Sequence, residues 1–296
     1  MPGTRPPPYV RIDVPLVRRL IAAQFPQWAS LAVEPVESAG WDNTIYRLGS
    51  NLTARLPRRR VSAEHVRNEH RWLPVLAPQL PLAVSVPLGH GVPGEGYPWH
   101  WTVCPWLTGE LAALTHLADP SRAATSLAHF IGALQASDPA GGSVHEFRGL
   151  SLAVHDRSAR ASAAVLRDSV DFGGLLQMWE AALAIPAWTG QPVWMHGDLH
   201  PANLLVADHQ LSAVIDFGLL SVGDPACDVM VAWTYLSADS RAAFRGALAV
   251  ADRTGSRGRG WALEFGLRAA AYSADNPVLG DIGRYTLAQV LAEFEQ

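Results

Sequence analysis

The chain contains no lysine: all 23 of its basic residues are arginines. Any task that a lysine performs elsewhere falls here to a planar, permanently charged guanidinium, or goes unfilled. Cysteine is scarce too. Cys104 and Cys227 are far apart and lack metal-ligand spacing, which excludes a disulfide framework or a zinc motif and fits a reduced, cytoplasmic setting. No apolar run reaches the roughly 18 residues of a membrane-spanning helix, so no membrane association is expected. Met1 to Pro8 is rich in proline without an apolar stretch, and reads as a frayed leader rather than a secretory signal. There is no excess of positive charge: the net charge is −4 and the pI near 6.2, against a protein that binds nucleic acid. The 11 tryptophans, several on predicted helix faces (Trp72, Trp179, Trp233, Trp261), are therefore expected in the core rather than as a base-stacking platform.

What is present is a two-part pattern. Over 296 residues with 49% hydrophobic content, the chain can fill one large or two modest cores. "RIDVPLVRRLIAAQF" predicts an amphipathic helix with Asp13 as N-cap and Pro15 in its first turn. "LAVEPVESAG", "NTIYRLGS" and "LTARLP" predict strands, with turns at Gly40 to Asn43 and Gly49 to Asn51. A helix is expected from a Ser62 cap to a break near Pro74 or Pro78, then strands in "AVSVPLGHG" and "HWTVCPW". Beyond "PWLTGE" the periodicity becomes helical: "DPSRAATSLAHFIGALQAS", "GLLQMWEAALAIP", "DPACDVMVAWTYL", "SRAAFRGALAVADR", "GWALEFGLRAAAY" and "IGRYTLAQVLAEF". The expectation is an α+β chain, with a β-rich N-terminal lobe over residues 1–105 and a larger helical lobe over 106–296.

The chemistry concentrates in "HGDLHPANLLV". Asp198 is a carboxylate able to take a proton from an attacking hydroxyl, and Asn203, five residues on, offers a hard oxygen suited to Mg²⁺. Eighteen residues after Asp198, "AVIDFG" sets Asp216 at the tip of an apolar strand, a fitting place for the principal metal ligand. One base and two metal-competent groups on adjacent strand-loop units make a phosphoryl-transfer site.

"HGDLHPAN" followed by "IDFG" resembles the catalytic and metal-binding signatures of the kinase fold, and its Gly-Asp and Pro-x-Asn details are most similar to the aminoglycoside phosphotransferase family. The likeness runs from about Glu37 to Leu291, strongest over Trp194 to Trp233. It implies a bilobal protein-kinase-like fold with Mg²⁺ and ATP or GTP as cofactors. It implies that Asp198 is the catalytic base and that Asn203 and Asp216 hold the metal. His196 would fasten the loop, and Asp228, in "GDPACDVMVAW", would brace it. Arg55 stands where such kinases carry a lysine on the third strand, with Glu69 in the next helix as its partner. Gly40, Asn43 and Thr44 would cover the donor's phosphates, although the full glycine set of protein kinases is missing. The hinge from Cys104 to Leu107, including Trp106, would meet the purine. Asp224 is expected to cap the following helix, and His200 to be structural or peripheral.

The acceptor is less legible. An aminoglycoside is a polycation and calls for carboxylates, yet Glu180, Asp239, Asp252, Glu264, Asp275 and Asp281 are dispersed, and "WALEFGLRAAAYSADNPVLG" is mostly apolar. The leading expectation is an antibiotic kinase of aminoglycoside type, conferring antibiotic resistance. The alternatives are a macrolide or metabolite kinase, or a catalytically silent nucleotide-binding protein. "TGSRGRGW" (Thr254 to Trp261) and "HEFRGLSL" (His145 to Leu152) carry arginines that could reach substrate or phosphate.

Overall fold

The computed structural model describes residues 10–36, 42–168, 171–274 and 276–294. Gly40, the Met1 to Pro8 leader and Asp275 lie outside the described residues. The chain divides into two compact units, one of residues 3–78 and 83–108, the other chiefly of residues 79–82 and 109–296.

The smaller unit is built on an antiparallel sheet of five strands, β1 (Val33–Val36), β2 (Asn43–Leu48), β3 (Leu52–Pro57), β5 (Gly89–Gly91) and β6 (Trp101–Pro105), in the order β1-β2-β3-β6-β5. A further two-residue strand, β4 (Ala83–Val84), stands outside that sheet. Helix α1 (Val14–Gln24) starts where Asp13 accepts the Leu16 N–H at 3.0 Å, with proline in the first turn. Its Leu16, Val17, Leu20 and Ile21 pack on Tyr46, Leu48, Ala54, Leu56, Trp101 and Val103 of the sheet. Because strand side chains alternate, burying Ala54 and Leu56 on this face turns Thr53 and Arg55 to the other. Helix α2 (Arg60–Leu76) supplies Glu69 there.

One expectation about α2 needs correction. Ser62 is not its cap: it lies inside the first turn, and its hydroxyl donates to Asp42 Oδ1 at 2.7 Å. The helix ends at Leu76, between the two prolines near which a break is expected, with Pro74 in its last turn.

The larger unit is mainly helical: α3 (Pro120–Ala136), α4 (Asp156–Val165), α5 (Phe172–Ala184), α6 (Ala226–Val229), α7 (Val231–Thr234), α8 (Ala238–Leu248), α9 (Asp252–Ala271) and α10 (Pro277–Phe294). Asp119 caps α3 as the sequence predicts, accepting the Arg122 N–H at 2.9 Å. Helix α4 has no counterpart in the sequence reading, since its segment is polar overall and the face it buries consists of small residues, Ala159, Ser162 and Ala163. "TGSRGRGW" is no linker but the first half of α9, stabilised by burial of its glycine-rich face against neighbouring helices despite poor intrinsic propensity. Tryptophans fill this core as expected: Trp179, Trp194 and Trp261 are each buried. Short strands β7 (Glu110–Leu111), β8 (Val193–Met195), β9 (Leu204–Ala207), β10 (Gln210–Val214) and β11 (Ser221–Gly223) carry the loops described next; β9 pairs with β7 and β10, and β8 with β11. Among the described residues no helix is long and apolar enough to cross a membrane.

Candidate active site

The register of the β9–β10 hairpin does the first piece of assembly. Leu204 lies opposite Val214, so the residues just outside the ladder, Asn203 and Ile215, are neighbours, and the Ile215 N–H donates to the Asn203 carbonyl at 3.0 Å. Asp216 follows directly. Two residues that the sequence separates by a hairpin thus emerge at the same end of it. Asp216 adopts φ 62°, a left-handed conformation that costs a non-glycine residue about 1 kcal/mol or more. Strain of this kind persists only where surrounding structure enforces it.

The loop from His196 to Asn203 joins β8 to β9 and is fastened from beneath. His196 is fully buried; its Nε2 donates to the Ile215 carbonyl at 3.0 Å, and its Nδ1 accepts the Asp198 N–H at 3.2 Å. Those two partners require the neutral Nε2–H tautomer and bind the two loops to one another. Asp228, also without exposure, accepts the N–H of His196 at 2.7 Å and of Gly197 at 2.8 Å, one on each carboxylate oxygen. Burial pushes the Asp228 carboxyl above the ordinary range, and the two backbone amides draw it only part of the way back.

Asp198 stands at the open side of this frame, with 26% of its side chain exposed. Its Oδ1 lies 3.5 Å from Arg148 Nη2, and its Oδ2 lies 3.4 Å from both His200 Nε2 and Asn203 Nδ2. Burial raises its pKa, but His200, Arg148 and Arg268 outweigh that and hold the carboxyl well below the usual range. The lowered carboxyl favours the ionised form, which presents itself as a hydrogen-bond acceptor. The Asn203 amide nitrogen also donates to the Asp198 backbone carbonyl at 2.9 Å, which fixes the nitrogen end inward and leaves the carbonyl oxygen as the end available to a cation.

These oxygens suit Mg²⁺. It takes hard ligands in small number and keeps the rest of its shell for water and phosphate. Among the described residues no group of three or more His, Cys, Asp or Glu side chains could hold a metal ion, so a cation here would rely on the Asn203 amide and the Asp216 carboxylate.

In the smaller unit, Arg55 and Glu69 face one another in a doubly hydrogen-bonded pair, Nη1 to Oε2 at 3.1 Å and Nη2 to Oε1 at 3.2 Å, both side chains almost wholly buried. Asn43 and Thr44 open β2, and Asn43 Oδ1 is buried without a hydrogen-bond partner among the described residues, a polar atom that a bound group or water would satisfy. Cys104 is buried within β6. The Trp106 N–H already donates to the Asn51 carbonyl at 2.8 Å, and the ring is covered by the Arg47 guanidinium at 4.1 Å, so this residue's amide is not open to a purine.

The sequence reading named several participants without their partners. His200 is not peripheral: it is buried against Phe265 beside Asp198. Arg148 of "HEFRGLSL" is buried between Asp198 and Glu264. Asp224 does accept the Ala226 N–H at 2.9 Å, as a cap would, but it also holds Arg257 of "TGSRGRGW" in a buried ion pair at 2.7 Å. That pair lines a cavity of about 220 Å³ together with Trp188 and Trp261. Arginines between small or apolar residues were the available signal, but no local spacing says which carboxylate each will meet.

Residues 33–265, most of the chain, match the family described as the phosphotransferase enzyme family. The chain belongs to that family. It is a small-molecule phosphotransferase with an α+β, kinase-like architecture. Among solved structures it is similar to the GDP complex of wild-type aminoglycoside 2'-phosphotransferase-IIIa (18% identity, 94% of this chain and 98% of that one, TM-score 0.68). It is similar also to macrolide 2'-phosphotransferase MphH from Brachybacterium faecium (25% identity, 90% and 97%, TM-score 0.60). A third is the streptomycin and ATP complex of APH(2")-IIa (13% identity, 96% and 97%, TM-score 0.61). No curated protein sequence matches the chain.

Proposed function

We propose that this phosphotransferase moves the γ-phosphoryl group of ATP or GTP to a hydroxyl of a small molecule, in the first instance an aminoglycoside-type antibiotic. The observation that carries the reading is the hairpin register that sets Asn203 beside Ile215 and Asp216, with Asp198 bonded to Asn203. Asp198, ionised and partly exposed, accepts a hydrogen bond from the acceptor hydroxyl and aims its oxygen at the phosphorus. As the new O–P bond forms and the bond to the nucleoside diphosphate breaks, the hydroxyl proton passes to the Asp198 carboxylate and then to solvent. Asn203 and Asp216 hold Mg²⁺, which when bound neutralises charge on the phosphates. Arg55, steadied by Glu69, grips phosphate oxygens in place of the absent lysine. Asn43 and Thr44 line the donor, and the purine meets the hinge through groups other than the Trp106 amide.

Structures with kanamycin and GDP, or streptomycin and ATP, among the similar proteins support an aminoglycoside acceptor and leave both nucleotides in play. A macrolide or another weakly charged acceptor is the second reading. It is favoured by the exposed apolar side chains Val144, Phe147, Leu150 and Val154, which flank Arg148 in sequence. In either case the modification would lower the antibiotic's potency inside the cytoplasm.

A transfer screen tests this directly: ATP and GTP against aminoglycosides, macrolides, sugars and amino alcohols. Turnover of one acceptor class that disappears in Asp198→Ala, with the fold and nucleotide binding retained, is the expected result. Normal turnover by that variant removes Asp198 from the mechanism. Nucleotide binding without turnover of any acceptor would instead mark a silent binding protein.

A further inference from the structure

We propose that Arg148 is a positioning residue for the Asp198 carboxylate, the middle of an ionic strut that runs from Glu264 on α9 to the catalytic loop. The inference rests on Asp198 being the residue that receives the acceptor hydroxyl, and it adds what holds that carboxylate in place.

The geometry is that of a strut rather than a chance pair. Arg148 has a side chain only 4% exposed; Nη1 meets Glu264 Oε2 at 3.2 Å and Nη2 reaches Asp198 Oδ1 at 3.5 Å. Its guanidinium lies over the Trp261 ring at 5.4 Å. Its position in the chain is set by a close crossing of two glycines. Gly149 has φ +74°, and a Cβ there would come within 3.0 Å of the Gly223 Cα; a Cβ on Gly223 would overlap Gly149 in turn. Only two bare backbones can approach so closely, and the crossing seats the preceding residue, Arg148, under the catalytic loop. On that side, a Cβ at Gly197 would be 3.4 Å from Arg148 Cγ.

Charge balance shows that the contact to Asp198 is more than neutralisation. A buried guanidinium needs a counter-ion, and Glu264, equally buried, supplies one. Glu264 in turn is braced by Arg268 at 3.3 Å, so the far end of the strut has a second cation upon it. With its near end fixed on the Trp261 face, the planar fork has one direction left, toward Asp198 Oδ1. At 3.5 Å the contact orients the carboxylate without consuming it, while His200 and Asn203 define the other oxygen. A lysine could satisfy Glu264 or Asp198 but lacks the fork to span both. Arg148 Nε is buried and without a partner among the described residues, consistent with a side chain held by what its two Nη atoms must reach.

The experiment compares wild type, Arg148→Lys, Arg148→Ala and Asp198→Ala, using the acceptor found in the screen above and, in parallel, acceptor-free hydrolysis of ATP and GTP. Arg148→Lys should lower kcat on the order of 10²-fold with both KM values within about twofold, because a misplaced base slows the chemical step and leaves binding intact. Added guanidinium ion should restore part of kcat in Arg148→Ala. A purely structural arginine would instead change the melting temperature and both KM values without that selective loss or rescue. Should Arg148→Ala fail to fold, Arg148→Lys and its kcat-against-KM split decide alone. Wild-type kcat in Arg148→Lys with an inactive Asp198→Ala overturns the strut and leaves the reading of Asp198 standing. An active Asp198→Ala overturns that reading first, and the strut with it.

Discussion

Removing the Asp228 carboxylate is the sharpest test of how the catalytic loop is held. The two backbone amides it serves, of His196 and Gly197, lie at 2.7 and 2.8 Å in a site with no solvent exposure. In Asp228→Ala both become buried donors without acceptors, each at about 1–3 kcal/mol, or roughly 2–6 kcal/mol together. Part of this is returned, because the carboxylate itself is costly to bury, as its raised pKa records. A net loss of about 2–4 kcal/mol is therefore expected. Asp228→Asn keeps one carbonyl acceptor but turns an NH₂ toward the other amide, and should fall between wild type and alanine. Urea unfolding gives the stability change, and kcat at saturating substrate gives the effect on Asp198, two residues from one of the freed amides. The reasoning predicts that kcat drops in both variants while nucleotide affinity holds. Alanine and asparagine variants of wild-type stability and kcat would show that His196 alone fastens the loop and that the Asp228 bonds are dispensable.

Gly197→Ala should be damaging out of proportion to its one added methyl. The residue has φ +83°, and the new Cβ would lie 2.6 Å from the Leu219 carbonyl, a backbone atom that cannot swing aside. A loss of about 2–3 kcal/mol with reduced kcat is expected, and an unfolding midpoint equal to wild type would refute it. His70, stacked on His90 at 3.7 Å with Nε2 2.7 Å from Thr102 Oγ1, has its pKa lowered from 6.5 to about 4 by burial first and then by His90, His100 and Arg55. The folded state then binds fewer protons than the unfolded chain between those values, so stability is lost as pH falls from about 6.5 toward 4. With discounting for partial exposure the loss is about 1–2 kcal/mol. Urea midpoints at pH 7 and pH 4.5 should differ less in His70→Gln than in wild type; equal differences would reject the assignment.

Much of the fold was legible because local rules and tertiary demands agree. The Asp13 and Asp119 caps, the alternating strands around Tyr46, Leu48, Ala54 and Leu56, and the helical periods of α5 and α10 each follow from residue type and spacing. The site was legible where it is contiguous: Asp198 and Asn203 share one loop, and a short hairpin returns the chain to Asp216. Legibility failed where packing overrode propensity. The first half of α9, with glycines at 255, 258 and 260, has a linker's composition and becomes helical because its small residues let neighbouring segments approach.

By itself, then, the sequence pointed to the reaction class, through the family resemblance that Asp198, Asn203 and Asp216 carry at their offsets in "HGDLHPAN" and "IDFG". The absence of lysine likewise left Arg55 as the cation facing Glu69. Only the tertiary structure decided which buried charges meet. Arg148 with Glu264 and Asp198, and Arg257 with Asp224, are partnerships between different elements. The reason is physical: a buried charge takes the nearest opposite charge in space, and that distance is set by helix packing and a glycine crossing that leave no periodic trace in the chain.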